Sequence, residues 1–304
     1  MADVATSAKK AIRRIEHTKA LDRAVDILEP FVRRLTRHDR VKNTLSGARL
    51  GHRLHPALTD LPIGAWVSAS LLDVVGGRNA RASARRLVGF GIVAAVPAAL
   101  TGLSDWHDTD KETRRVGIVH AAANTAGLVM QMTSWSARGK VHYWRAKVLS
   151  AGSLGAVGLG GYLGGHMAFI RRAGVDAEVP VLESYAWQPA CEVSALTEGK
   201  PITVEVDGVR IAVVRDAGRT YAMAARCTHA GGPLGEGTLS GTCIECPWHG
   251  SRFDLATGKV RRGPATTDET TYETRVRDTT VEVRRRPSVK RPLIVPRDSA
   301  PVMG

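Results

Sequence analysis

Cysteine is scarce here: four residues in 304, at Cys191, Cys227, Cys243 and Cys246. So few cannot build the disulfide lattice of a small secreted domain, and three of them fall between 227 and 246, a clustering that points to a metal centre. Acidic side chains are also in deficit, 29 against 43 Lys and Arg, for a net charge of +14. The deficit is uneven. Residues 1–53 carry thirteen basic against six acidic groups and 54–170 eleven against six, whereas 171–283 carry thirteen against sixteen and the last twenty-one residues six against one. Basicity confined to the first two-thirds and the tail is not the footprint of a folded nucleic-acid-binding domain, so nucleic acid is not an expected partner. It suits a protein whose flanks meet anionic lipid. The chain also lacks a phosphate-cradling glycine loop, a nucleophile elbow and a convincing carboxylate pair, which leaves no seat for substrate chemistry apart from a redox centre. The opening MADVATSAKKAIRRIEH has charge but no apolar stretch behind it. Neither a secretory signal nor twin-arginine export through Arg13-Arg14 or Arg33-Arg34 is expected.

Long apolar runs, by contrast, are present. LTDLPIGAWVSASLLDVV, LVGFGIVAAVPAALTGL, VGIVHAAANTAGLVMQMTSW and VLSAGSLGAVGLGGYLGGHMAFI lie between Leu58 and Ile170, and the last three hold no Asp, Glu, Lys or Arg. Each is close to the roughly 20 residues that cross a hydrocarbon core of about 30 Å as a helix. Four such runs with charged connectors predict a four-helix transmembrane bundle over 51–172; an Ala/Gly-rich soluble bundle is the alternative. Gly161 and Gly165, with Gly160 and Gly164 offset by one, are spaced for close helix contact. Trp66, Trp106, Trp135 and Trp144, at or near run ends, read as interfacial anchors. Lys/Arg weight before the first run places both termini in the cytoplasm.

Residues 1–50 form a basic segment in which Leu21, Val25, Leu28, Val32 and Leu35 make one apolar helical stripe. Pro30 removes a helix donor, which predicts two short helices there rather than one. The stripe can lie on the membrane surface, or pack on the protein's own cytoplasmic face or on a second subunit in a homo-oligomer. Residues 173–185 read as a polar linker that lets the C-terminal third of the chain reorient, and 286–304 as a basic, proline-punctuated tail that is disordered or laid on lipid.

From about residue 186 the pattern becomes short and alternating. PITVEVDG, VRIAVVRDAG and RTYAMAA read as successive strands with Asp-Gly and Ala-Gly turns, and GKVRRGPA, TYETRVRD and TTVEVRRR continue them. Residues 186–285 are therefore a small all-β unit. On its loops stand Cys227-x-His229 and, after sixteen intervening residues, Cys246-x-x-His249. A zinc finger groups its cysteines before its histidines; here each loop offers one of each. Two such loops can give two thiolates to one metal and two imidazoles to its neighbour, the demand of an asymmetrically ligated two-iron cluster. A mononuclear zinc site is the alternative. Gly231, Gly232, Pro233, Pro247 and Gly250 allow the tight turns.

The stretch CTHAGGPL…CPWHGSRFDLATGKVRRGPA resembles a Rieske [2Fe–2S] domain, which implies an antiparallel β-sandwich holding one cluster. The resemblance implies Cys227 and Cys246 on the inner iron, His229 and His249 on the solvent-facing iron, and Ser251 as a donor to a ligand sulfur. The respiratory-chain branch has a disulfide-forming cysteine in each loop, where this chain has Gly232 and Trp248, and a tyrosine donor where it has Phe253. One fewer hydrogen bond to sulfur implies a low-potential, ferredoxin-like centre, toward the bottom of the roughly −150 to +300 mV class range. Cys191 and Cys243 fall outside the ligand pattern and read as structural thiols. Residues 50–172, through LHPALTDLPIGAWVSASLLDVVGG, GIVHAAANTAGLVMQ and GGYLGGHMAF, are similar to a bacterial four-span membrane domain of unknown function.

In an up-and-down bundle His55, His107, His120 and His166 all come to one membrane face, the face carrying the Rieske unit. Intramembrane ionisable residues are functional candidates, and His120 and His166, with Asn124 a turn beyond His120, lie most clearly inside. A bis-histidine haem b or a quinone would suit an iron–sulfur unit docked there; the alternative is that these histidines bond neighbouring helix ends. The expected function is a membrane-anchored, one-electron Rieske carrier with a reductase or oxygenase as redox partner, His229 and His249 being its exposed edge. A self-contained membrane oxidoreductase and a redox or iron sensor are the alternatives. A Rieske oxygenase is not expected, because no second domain offers a 2-His-1-carboxylate iron site.

Overall fold

The computed structural model describes residues 2–139, 143–177 and 179–286; the expected tail falls, from 287 on, outside the described residues. Among the described residues seven α-helices come first: α1 (Ala2–His17), α2 (Asp22–Leu35), α3 (Asp39–Ser46), α4 (His55–Val75), α5 (Arg81–His107), α6 (Lys111–Ala137) and α7 (Tyr143–Gly165). Ten strands come after them, and every pairing between them is antiparallel.

α4 to α7 form the bundle. Among the described residues, only α4 and α5 are both long and apolar enough to cross a membrane by length and composition. The other two fall short of the expected four for a physical reason. α6 carries His120, Asn124, Gln131 and Ser134 along one face, with Arg138 just past its end, and α7 is diluted by seven glycines. Those polar groups point inward. Ser150 donates to Gln131 at 3.0 Å, Ser134 to the Ala146 carbonyl at 2.8 Å, and Arg138 to Asp73. Close helix contact falls to the offset glycine pair: Gly160 packs on Asn124 and Gly164 on His120, while Gly161 faces open space. Trp66 and Trp106, expected at the interface, are buried against Gly91 and Gly117, and their indoles donate to the Val88 and Arg114 carbonyls; Trp135 and Trp144 are exposed.

The amphipathic N-terminal segment packs on the protein's own bundle. Val25 and Val32 lie against Trp106, and Ile12 against Val116 and Leu163. Ion pairs Asp22–Arg115 (2.7 Å) and Glu29–Arg114 (3.1 Å) pin it down. Pro30 does not divide the helix; it sits inside α2, and the chain breaks instead at Thr18 and the 3-10 turn Lys19–Leu21. The packing of Val25 and Val32 on either side of Pro30 offsets the single lost backbone bond.

The β-unit holds two sheets. The larger, β1 (Gln188–Glu192), β10 (Thr280–Arg285), β9 (Thr271–Arg277), β4 (Arg219–Ala224), β3 (Val209–Asp216) and β2 (Ile202–Val206), is ordered β1-β10-β9-β4-β3-β2. The smaller runs β5 (Thr238–Ser240), β6 (Cys243–Glu245), β7 (Arg252–Asp254) and β8 (Val260–Arg262). Asp207-Gly208 and Ala217-Gly218, all at positive φ, make the two hairpin turns read from the sequence. Alternate side chains of β3 serve two cores. Ile211 and Val213 face Tyr272 and Val281, while Ala212 and Val214 join Ile244 and Phe253 of the smaller sheet. Cys227 and Cys246 root in this second core. The segment expected to be a free linker is strapped down. Leu182 is buried in the first core, its N–H donates to the Tyr272 hydroxyl, and the Ala177 N–H donates to the Thr228 carbonyl at 2.7 Å.

Candidate metal centre

Two turns of the same design project from one end of the smaller sheet. In the first, between β4 and β5, the Cys227 N–H donates to the Gly232 carbonyl (2.8 Å) and the Cys227 carbonyl accepts from the Gly231 N–H (2.7 Å). In the second, between β6 and β7, the Cys246 N–H donates to the Ser251 carbonyl (2.8 Å) and the Cys246 carbonyl accepts from the Gly250 N–H (3.0 Å). The offsets from each cysteine are identical, five residues and four. Gly231 and Gly250 sit at φ +76° and +69°, which an L side chain strains to adopt. The turns are thus near-equivalent halves of the same hand, each presenting a thiol and an imidazole.

The halves meet like with like. The Cys227 and Cys246 thiols hydrogen-bond one another, both almost fully buried, and the His229 and His249 rings stand edge-on with centroids 4.9 Å apart. Backbone N–H groups of His229, Trp248 and His249 point at the two sulfurs. Contact from Cys227, then those amides, brings the Cys246 thiol down to about 7, while the same contact and burial drive Cys227 up. One thiolate is thus available near neutral pH, and a metal would draw the second. Burial, then the charge of Arg53, pushes His229 down to about 2, and burial lowers His249 too; both rings are neutral, the form that ligates metal.

The residues fit a two-metal group. The His249 Nδ1 is buried with no hydrogen-bond partner, as a nitrogen reserved for a ligand bond would be. Among the described residues no three His, Cys, Asp or Glu converge on one point, as a mononuclear zinc site requires. Gly232 closes the site: a Cβ there would come within 2.7 Å of the Cys246 sulfur and 3.2 Å of the Trp248 ring. The two positions where the respiratory branch has its extra cysteines therefore lie against each other. Ser251 is fully buried, and its hydroxyl accepts from the Ala265 N–H at 3.0 Å, leaving its own proton free to donate. Cys243 is buried in the core and Cys191 half-buried; burial pushes both thiols up.

Three features were not legible in the sequence. His229, expected on an exposed edge, is 5 % exposed, and the charges of Arg53 and Lys42 of the helical unit act on it. His249 is half-buried and Trp248, at 56 %, is the open side chain of the site. Beneath the first turn, Glu269 accepts from the Thr228 N–H; burial pushes its carboxyl up to about 8. The four bundle histidines do share one end of the molecule, but three are held separately. His55 bonds the Ala98 carbonyl, His120 the Gly160 carbonyl and His166 the Glu16 carboxylate; the His107 Nε2 is buried without a partner. His120 and His166 are not brought together as a ligand pair.

Residues 186–276 match the Rieske [2Fe–2S] domain family, and residues 51–177 match a family described as a predicted membrane protein (DUF2231). The ferredoxin component of the naphthalene 1,2-dioxygenase/salicylate 5-hydroxylase systems of Ralstonia sp. is 36% identical over 98 residues, 32% of this chain and 94% of that protein. The naphthalene 1,2-dioxygenase ferredoxin component of Pseudomonas putida is 35% identical over 97 residues, 32% of this chain and 93% of that protein. Among solved structures, the ferredoxin of carbazole 1,9a-dioxygenase from Nocardioides aromaticivorans IC177 is 31% identical, covers 33% of this chain and 99% of its own, and superposes with a TM-score of 0.32.

Proposed function

The chain belongs to the Rieske [2Fe–2S] family, and from that premise we propose that this electron carrier is tethered to the cytoplasmic face of a membrane, where it takes single electrons from a reductase and delivers them to an oxygenase. The carrying observation is the pair of equivalent turns that set thiol against thiol and ring against ring. In this reading Cys227 and Cys246 hold one iron, His229 and His249 hold the other, and the bound cluster supplies reversible one-electron transfer. The protein's own residues do the rest. The second core excludes water from the sulfurs, the three amides offset their charge, and Ser251 tunes the potential. Trp248 and the half-buried His249 are the side on which a partner would dock; large aromatic side chains are favoured anchors in such interfaces.

Four spans, rather than two, are supported by how the bundle distributes its surface. Val67, Leu71, Phe90, Val93, Val129 and Val148, from all four helices, are exposed, whereas Gln131, Ser134, Ser150 and Ser153 are buried. That inverts the soluble pattern and suits lipid outside with polar contacts between helices. Arg37, Arg40 and Arg49, exposed ahead of α4, favour the cytoplasm for the Rieske side and offer contacts for anionic lipid. Onward transfer to a haem or quinone in the bundle has less support, since three of its four histidines are already bonded within the protein.

The test is reconstitution in vesicles with the NADH-dependent reductase of a Rieske dioxygenase system. The expected result is bleaching of the cluster absorbance by one electron per chain, reversed by oxidised oxygenase. A cluster that dithionite reduces but neither protein can reduce or reoxidise would overturn the carrier assignment.

A further inference from the structure

The two halves of the chain meet at the metal centre. α3 lays Asp39, Asn43 and Ser46, spaced i, i+4 and i+7, against β8 and the residue after it. The Asn43 amide donates to the Arg261 carbonyl at 2.9 Å and accepts from the Gly263 N–H at 2.8 Å, satisfying a backbone donor and acceptor as a neighbouring strand would. Asp39 takes Arg262 at 2.6 Å and Arg252 at 3.3 Å. Ser46 is fully buried against Gly263. One turn away, the Lys42 ammonium, 3 % exposed, pairs with Asp108 at the end of α5 at 2.5 Å and reaches the Ser104 hydroxyl at 3.3 Å. Arg53, paired with Asp105 at 2.8 Å, stands beside it. Lys42 and Arg53 are the helical unit's charges that act on His229, and Asp108 is the foremost charge on His249.

A seam that carries two paired, mostly buried cations whose charge reaches the histidines is more than a tether requires. We propose that α3 and the C-terminal end of α5 form a docking site for the histidine edge of the β-unit, and that the reduced protein docks there more tightly than the oxidised protein. The inference rests on the cluster assignment proposed for Cys227, His229, Cys246 and His249. Two ferric ions, two sulfides, two thiolates and two neutral imidazoles sum to zero charge. One electron, from a reductase or dithionite, brings the sum to −1 with no bond broken. Being mostly buried, Lys42 and Arg53 favour that added charge with little screening, and Asp108 opposes it. Linkage is reciprocal: whatever docking contributes to reduction, reduction contributes to docking. Docking ten times tighter in the reduced state corresponds to a midpoint about 59 mV higher docked than undocked.

The experiment is a redox titration of full-length variants in detergent, read by EPR. K42Q and D108N break the same ion pair, so a purely structural role moves both midpoints the same way. The charge role moves K42Q down and D108N up. R53Q, at a less buried cation, also moves down and serves if K42Q does not fold. Independently, amide hydrogen exchange across 39–46 in the wild-type protein slows on reduction. K42Q and D108N midpoints that move together or not at all, or exchange indifferent to redox state, would overturn the proposal. A normal Rieske signal with unmoved midpoints refutes docking control alone, whereas a protein with no such signal refutes the cluster reading and this inference with it.

Discussion

Gly232→Ala is the sharpest single perturbation of the metal centre. The added methyl carbon would lie 2.7 Å from the Cys246 sulfur and 3.2 Å from the Trp248 ring. Non-bonded heavy atoms settle at about 3.5–4.0 Å, so the sulfur or the turn must retreat by roughly 1 Å. A metal site tolerates only about ±0.2 Å in its ligand distances, so the displacement exceeds tolerance roughly fivefold. Retreat is hard, because Cys246 is held through the Ser251 carbonyl and the Gly250 N–H and its sulfur is rooted in the core. For the fold itself the cost is ordinary overpacking, about 1–3 kcal/mol. The expected protein is folded, membrane-associated and at least tenfold depleted in iron per chain. The assays are iron and sulfide content with visible spectroscopy, beside circular dichroism as the control for folding. A G232A protein with full iron content and an unchanged midpoint would refute the geometry described for the site.

Replacing Cys227 or Cys246 by Ser removes the cluster absorbance while leaving the far-ultraviolet signature of the β-unit intact. Arg138→Leu removes the cation paired with Asp73, 7 % exposed, leaving its carboxylate to the Tyr143 hydroxyl, and costs about 3–5 kcal/mol in detergent unfolding; adding Asp73→Asn recovers most of it. Glu269 yields a pH signature. Its folded pKa, about 8, lies above the ordinary 4.5, so the folded state holds the proton longer; stability is full below about 4.5 and falls as pH rises through 8. At one pKa unit per about 1.4 kcal/mol, the loss is bounded at about 4–5 kcal/mol. Glu269→Gln flattens the profile, and a wild-type melting temperature that stays level from pH 5 to 9 would contradict the burial.

Where local chemistry decides the structure, it could be read from the chain. The hairpin turns announce themselves as Asp-Gly and Ala-Gly because only a few residues accept positive φ, and the strands beside them alternate. The two turns of the metal centre are legible for the same reason, each pairing a cysteine with a glycine four residues on. What long-range packing decides was hidden. Nothing near Asn43 indicates that its amide will span Arg261 and Gly263, 218 and 220 residues away. The burial of His229 was equally hidden. Trp66 and Trp106 went inside because glycines on facing helices left room, a relation between helices rather than along one. The polar face of α6 does carry a usable signal: Asn124, Gln131, Ser134 and Arg138 recur at helical spacing, which marks an inward face and lowers the hydropathy of that helix.

The most direct measurement is an optical and EPR redox titration of the full-length protein purified in detergent. The account predicts one Rieske-type signal per chain, appearing on one-electron reduction at a midpoint toward the lower end of the roughly −150 to +300 mV class range. Absence of that signal from iron-replete protein, or a clearly positive midpoint, would contradict it.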